Sequence, residues 1–379
     1  MNPRWKQRPE GSTWGDFGPD DQLGRLNLLT AERVMQAARE IKTGKTFCLS
    51  LPLDLPGGNV LNPRRHPPKL EPTQSPDGTP RFNFALRMEN PAYVDVGCDD
   101  RVLLTLQYST QWDGFSHMGQ YFDADGDGEP EIRYYNGYQG GTDVIGPAAY
   151  RGAQKLGIDT FAEKGLVGRG GMLDLYRHFG RERKIVGYDD FMMALDKNQV
   201  TVETGDMLCL YTGFADVIIE LGGKPDGPTL ARACATLNGR DDKLLQWISD
   251  SGIAALIADN YAVEQSPALP GKGTRYANSP LHQHCLFKLG VPLGEIWFLS
   301  DLNRWLAQNG RTRFFMTAQP LRLPGAVGSP ANCSGVIAVS ATDARKNVTY
   351  YSNTGDATVV AAPGGDLGES TTGNGAPDG

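Results

Sequence analysis

Histidine is scarce in this chain, with five in 379 residues: His66, His117, His178, His282 and His284. In TQWDGFSH, His117 follows Asp113 by four residues. On a helical turn that spacing projects both side chains from one face, where a carboxylate oxygen and an imidazole nitrogen can grip one divalent cation. The same spacing is common in plain surface pairs, so it carries little alone. His282 and His284 share the segment SPLHQHCLFKLG, and Glu295 follows in GVPLGEIWFL. A carboxylate among such apolar neighbours needs a partner, and a metal ion would be one. His178, in YRHFG, reads as a surface or cap residue, and His66 as an exposed residue of an Arg- and Pro-rich loop. Trp112, next to Asp113, reads as core or as a substrate wall.

Other suggestive segments fail on a specific residue. DADGDGEPEIRY (123–134) begins like a calcium loop, but its twelfth position, where a bidentate Glu belongs, is Tyr134. GFSHMG lacks the second glycine of a nucleophile elbow, because Met118 stands there. GLVGRGGM misses the dinucleotide spacing G-x-G-x-x-G, and no Walker lysine follows a Gly-rich loop.

These residues sit in an ordinary globular composition, 40% apolar and 21% charged, long enough for one large domain or two moderate ones. The net charge is −7 and basic residues do not cluster, which argues against a nucleic-acid partner. No apolar run is long enough for a membrane span, and the N-terminus has no apolar stretch of the secretory kind. The six cysteines are scattered without a C-x-x-C pair, so a reduced, cytoplasmic protein is expected.

The elements that must position the candidates follow from periodicity and punctuation. Thr30 caps a helix over AERVMQAAREIKTG, stopped by Gly44, and TFCLSLPLD alternates like a strand. Residues 56–80, rich in Pro, Gly and Asn, read as a long loop or lid. A strand over RVLLTLQYST, a short helix near 148–157 and a strand over GLVGRGGMLDLY come next. VTVETGDMLCLYTGF reads as two strands around a Thr204-Gly205-Asp206 turn. TLARACATL and DDKLLQWISDSG read as helices and IAALIADN as a buried strand. Ser279 and Pro280 open a helix that ends at Gly290. GEIWFL, RFFMTAQPL and GVIAVSA read as closing strands. Helices and strands alternate irregularly, as in an α/β or α+β domain.

STQWDGFSHMG resembles the motif of the cyclase family of metal-dependent hydrolases, which includes bacterial kynurenine formamidase and isatin hydrolase. In the family pattern, H-x-G-T-H-x-D-x-x-x-H, this chain has Gln107 and Gln111 at the first two histidines and Ser109 at the glycine, while Thr110, Asp113 and His117 match. The likeness continues in WGDFGPDDQLGRLNLLT, GLVGRGGMLDLY, GDMLCLYTGF, LHQHCLFKLGVPLGEIW and LPGAVGSPAN, from about Trp14 to about Val339, and is similar to a longer branch in which TQWD replaces the double-histidine form.

The resemblance implies a mixed α/β (α+β) fold: one large domain over residues 1–355, with a central or barrel-like sheet flanked by helices, as in the kynurenine formamidase-like swivelling β/β/α fold. Residues 356–379 are then a flexible Gly-rich tail. It implies one divalent ion, Mn or Zn, held by Asp113, His117, His282 and Glu295 with Gln111 in or near the ligand set. His282 is preferred to His284 because Leu286 and Gly290 then fall near the family spacing. The second ion of two-metal members would lose both imidazoles to Gln107 and Gln111, and a neutral amide oxygen is a poorer ligand for zinc-like metals. His117 and Glu295 are the expected proton-handling residues, and Trp112, Gln107, Thr110 and His284 the expected substrate contacts. The implied activity is hydrolytic opening of an amide, lactone or cyclic imide bond in a small cyclic or aromatic substrate. The rival readings are a metal-assisted lyase, dehydratase or cyclase and a degenerate small-molecule binder without metal. A homodimer or homotetramer is expected, with no nucleic-acid or membrane partner.

Overall fold

A computed structural model describes residues 4–331 and two further short segments, 339–342 and 360–363. Its centre is a seven-stranded mixed sheet. In chain order the strands are β1 (Gln111–Asp113), β2 (Val167–Asp174), β3 (Met207–Tyr211), β4 (Ala255–Ala258), β5 (Leu293–Glu295), β6 (Arg313–Thr317) and β7 (Gly328–Pro330). Across the sheet they run β6-β2-β3-β4-β5-β1-β7. From β2 to β5 neighbours are parallel, while β6, β1 and β7 join antiparallel. This is the mixed α/β fold with a helix-flanked central sheet that the family resemblance implies. MLCLY and ALIA are apolar throughout and almost wholly buried, as expected for strands covered on both faces.

Helix α1 (Ala31–Ala38) starts where expected, with the Thr30 side chain accepting from Arg33 N, but it ends well before Gly44. Helix α2 (Asp242–Ser251) is capped by Asp241, which accepts from Lys243 N and Leu244 N. The Ser279-Pro280 start is also present: one helical turn, Pro280–His282, passes into a π-helix over Gln283–Leu289 that closes at Gly290.

Several expectations shift. Among the described residues, TFCLSLPLD forms only an isolated bridge, Ser50 to Trp297, with no strand beside the rest of it. Of VTVETGDMLCLYTGF only the second half is a strand, and residues 148–157 hold a two-residue strand, Gly152–Ala153, instead of a helix. TLARACATL splits into a short helix (Gly227–Arg232) and a strand (Ala235–Leu237) paired with Lys184–Val186. Within the lid segment, Lys69–Pro72 pairs antiparallel with Asp100–Leu103. Val360–Pro363, inside the expected tail, pairs in parallel with Val339–Thr342, and the rest of residues 356–379 lies outside the described residues. No helix among the described residues is long and apolar enough to cross a membrane.

One ion cluster ties the edge of this sheet together. Glu203, in the turn before β3, meets Arg33 of α1 at 3.2 Å, Arg169 of β2 at 3.0 Å and Arg313 of β6 at 2.8 Å. The hydrogen bond from Arg169, followed by the charges around it, pulls the Glu203 carboxyl down to about 2. A depressed carboxylate stabilises the fold above its unfolded value, near 4.5, and that contribution disappears as pH falls from there through about 2. Glu203→Gln is therefore expected to lower the unfolding midpoint at neutral pH and to converge with the parent near pH 2. Partial solvent screening limits the difference to about 1 kcal/mol. Denaturant titrations across that pH range check it, and a gap that widened in acid would refute the assignment.

Candidate metal centre

Strand alternation decides which residues face the site. On β1, Gln111 and Asp113 project to one face and Trp112 to the other. On β5, Glu295 lies opposite Gln111 and Leu293 opposite Asp113 in antiparallel register. The two strands thus present Gln111, Asp113 and Glu295 side by side. His282 arrives from the helical turn that precedes β5, and its Nε2 lies 3.2 Å from Glu295 Oε1 and 3.8 Å from Asp113 Oδ2. Each of Asp113, His282 and Glu295 offers a ligand atom within 4.8 Å of the others, and all three are buried.

His117 follows β1 through a turn, its N–H donating to Gly114 O. TQWDGFSH is a strand followed by a turn and not a helical turn, and this brings His117 Nε2 to 3.7 Å from Asp113 Oδ1. Its side chain is 18% exposed, whereas that of Asp113 is fully enclosed. His117 is therefore the group at the mouth of the cluster. Met118 beside it, with Pro280 and Gln283 beside His282, lines an open cleft of about 1320 Å³.

Gln111 lies within the cluster. Its amide nitrogen donates to Asp113 Oδ1 at 3.3 Å and to Glu295 Oε2 at 3.2 Å, clamping the two carboxylates. Its Oε1 and Asp113 Oδ2 are buried without any hydrogen-bond partner. Such orphaned acceptors are expensive in a protein interior, and a cation beside them would remove the penalty. Burial drives the Asp113 carboxyl above its ordinary value, against the pull of His117, and nearby Glu295 adds to the rise. Burial acts the same way on Glu295, but hydrogen bonding and charge from His282 outweigh it and hold that carboxyl low. His282 itself is penalised by burial, yet its hydrogen bonds to Glu264 and Glu295 push it up to about 10. A site that retains a proton so strongly on the imidazole has an excess of buried negative charge. The donor set, hard carboxylate oxygens with imidazole, suits a divalent metal ion.

Of the four expected substrate contacts, Trp112 and Thr110 are enclosed in the core, whereas His284 lines the open cleft and Gln107 is half-buried. Trp112 is wholly buried against Trp297, ring centroids 5.1 Å apart, with its indole N–H donated to Ala318 O. Alternation along β1 sends it into the core. Thr110 donates its hydroxyl to Ile296 O at 2.6 Å and accepts from Leu51 N, so it braces the chain after Glu295. His284 pairs with Ser249 of α2, and burial with the Lys288 charge pulls it down to about 4. Gln107 accepts at its backbone oxygen from Arg65, and its side-chain nitrogen lies against Gly328, where a Cβ would come within 2.6 Å. His178, as expected, is peripheral, contacting Asn198.

Two features escape the sequence reading. Glu264 is 1% exposed and touches His282 from behind. The signal that singles out Glu295, a carboxylate in an apolar run, is also present in NYAVEQ. The other is Ile296, a β-branched residue held at φ 56° directly after Glu295. Its N–H donates to Asn260 O and its carbonyl accepts from Thr110. Such strain persists only where the surroundings impose it, and it clusters at functional sites.

In the DADGDG run, Asp123, Asp125 and Glu131 lie near one another. Asp123 already accepts backbone N–H groups from Gly126, Asp127 and Gly128, the bonding of a polar turn.

A mixed α/β sheet carrying a buried carboxylate–imidazole cluster defines a class of candidate metalloenzyme. The sequence pattern of the family named Cyclase matches residues 49–265, more than half of the chain, and the protein belongs to that family. Among solved structures, one described as a novel cyclase is 32% identical, with a TM-score of 0.67, covering 86% of this chain and 97% of its own. Isatin hydrolase A from Ralstonia solanacearum is 15% identical with a TM-score of 0.47, covering 76% of this chain and 89% of its own. Isatin hydrolase A from Labrenzia aggregata bound to benzyl benzoate is 12% identical with a TM-score of 0.48, covering 78% and 96%. No curated protein matches.

Proposed function

We propose that the protein is a metal-dependent hydrolase that opens an amide, lactone or cyclic imide bond in a small substrate. The observation that carries this reading is the buried Asp113–His282–Glu295 cluster, whose ligand atoms converge within 4.8 Å and include an orphaned carboxylate oxygen. Asp113, His282 and Glu295 would hold the ion, with His117 beside them and Gln111 Oε1 the additional buried acceptor within reach. A divalent ion bound there supplies Lewis acidity at a carbonyl and brings the pKa of water towards neutrality. The remaining chemistry belongs to the chain. His117, the most exposed group of the cluster, is placed to take a proton from attacking water and return it to the leaving group. Glu295, held low by His282, can accept a proton transiently from the same region. Gln111 keeps the two carboxylates in place through its amide N–H groups.

The test begins with metal analysis of protein purified without chelators. A panel of formamides, lactones and cyclic imides is then assayed with Mn²⁺ and Zn²⁺. At least one is expected to turn over, with products whose summed mass is that of the substrate plus one water. Metal-bound protein inert toward every member, or products whose summed mass does not exceed that of the substrate by one water, would exclude hydrolysis of these bonds.

A further inference from the structure

Glu264 belongs to neither the carboxylate pair of the sheet nor the residues at the mouth of the cluster. It lies six residues past the end of Ala255–Ala258, at the end of DNYAVE, and accepts from His282 through two different groups. The backbone N–H of His282 reaches Glu264 Oε1 at 3.0 Å, and Nδ1 reaches the same oxygen at 2.8 Å. Leu281 N donates to Oε2 at 3.0 Å. The opposite nitrogen of the imidazole faces Glu295 and Asp113. The approach to Glu264 is contorted: Ala262 and Val263 both have positive φ, 76° and 55°. Valine, with its branched Cβ, is ill suited to that region, so the fold imposes it. Gly239 completes the niche, since a Cβ there would collide with Glu264 Oε2.

We infer that Glu264 is a positioning residue of the metal centre: it fixes the proton of His282 on Nδ1 and the plane of the ring, leaving Nε2 as the ligand atom. This rests on the metal-centre reading above. An imidazole ligand anchored through its far nitrogen has one tautomer and one orientation, and a carboxylate as the anchor raises the electron density that the near nitrogen offers. The two backbone bonds alone would make Glu264 a cap for the helical turn at Pro280. The bond to Nδ1 is what a cap does not require.

The experiment separates these roles. Metal-free wild-type protein and Glu264→Gln are titrated with Zn²⁺ by calorimetry, and their unfolding is compared without metal. Wild type should bind one ion. Glu264→Gln, nearly isosteric but uncharged, should bind ten- to a hundredfold more weakly while its metal-free midpoint stays close to wild type, the range seen when an outer partner of a ligand is lost. Equal affinity in a folded Glu264→Gln would overturn the inference while leaving the metal centre intact. If wild type binds no ion, the metal-centre reading fails and the inference with it. Should Glu264→Gln not fold, ¹⁵N-histidine NMR of zinc-loaded wild type decides. A His282 ring protonated at Nδ1 and metal-bound through Nε2 supports the role, and coordination through Nδ1 excludes it.

Discussion

Asp113→Ala protein should emerge from purification without metal and with kcat reduced by roughly 10³-fold or more. The figure follows from the several kcal/mol that a bound ion contributes to a hydrolytic transition state, at tenfold per 1.36 kcal/mol. Asp113 is fully enclosed, lies within 4 Å of both His117 and His282, and has one oxygen with no hydrogen-bond partner. Its removal takes away the central oxygen donor and leaves the two imidazoles with nothing between them. Folding stability should move differently. Burial already disfavours the Asp113 carboxylate, so in chelator the variant should unfold no earlier than the parent. Added Mn²⁺ or Zn²⁺ should raise the midpoint of the parent, by about 2.7 kcal/mol at a hundred times Kd, and leave that of the variant unchanged. Metal quantification, steady-state kinetics and melting curves with and without ion check the scheme together. An Asp113→Ala protein that retains both metal and turnover would contradict it.

The second large effect falls on stability. Trp112→Ala is expected to cost about 3–5 kcal/mol, the range for truncating a large buried aromatic. Trp112 is wholly buried, packs edge-on against Trp297 and donates its indole N–H to Ala318 O, while Trp297 donates to Gln111 O. Removing the ring therefore opens a cavity directly beneath the backbone that carries Gln111 and Asp113. Trp112→Phe should keep part of the packing and cost less. Urea unfolding measures the loss. A Trp112→Ala protein of parental stability with a raised KM would restore the substrate-wall role that strand alternation removes.

These two residues also show how far the sequence can be read. Asp113 and His117 are legible as a chemical pair from type and spacing, but a helix with i, i+4 geometry and a strand ending in a turn bring the pair together equally well. Nothing local distinguishes them, and the difference reverses the side on which Trp112 lies. Glu295 is legible because a charge in GVPLGEIWFL contradicts its surroundings. Glu264 carries the same contradiction in a weaker context, where polar Asn260 and Gln265 dilute the apolar run. The buried strands MLCLY and ALIA read correctly because continuous apolar runs bounded by turns have few other solutions. TFCLSLPLD alternates as a strand should, yet pairs only at Ser50, since pairing depends on a partner elsewhere in the chain. The clamp from Gln111 to both carboxylates is a tertiary fact: it requires the register of Gln111 against Glu295, which no single segment encodes.

That register constrains how the gene can vary in length. Gln111, Trp112 and Asp113 are each paired on both sides, to Glu295, Gly294 and Leu293 across one edge and to Pro330, Ser329 and Gly328 across the other. A single inserted or deleted codon here would rotate every following side chain to the opposite face, placing an indole among the ligands and a carboxylate in the hydrocarbon core. The exposed Lys69–Pro72 and Asp100–Leu103 ribbon has no such double bookkeeping, and its connecting loop can lengthen or shorten at small entropic cost. Length variation should therefore accumulate in the stretch between those strands, while the three codons for Gln111–Asp113 admit substitution but not insertion.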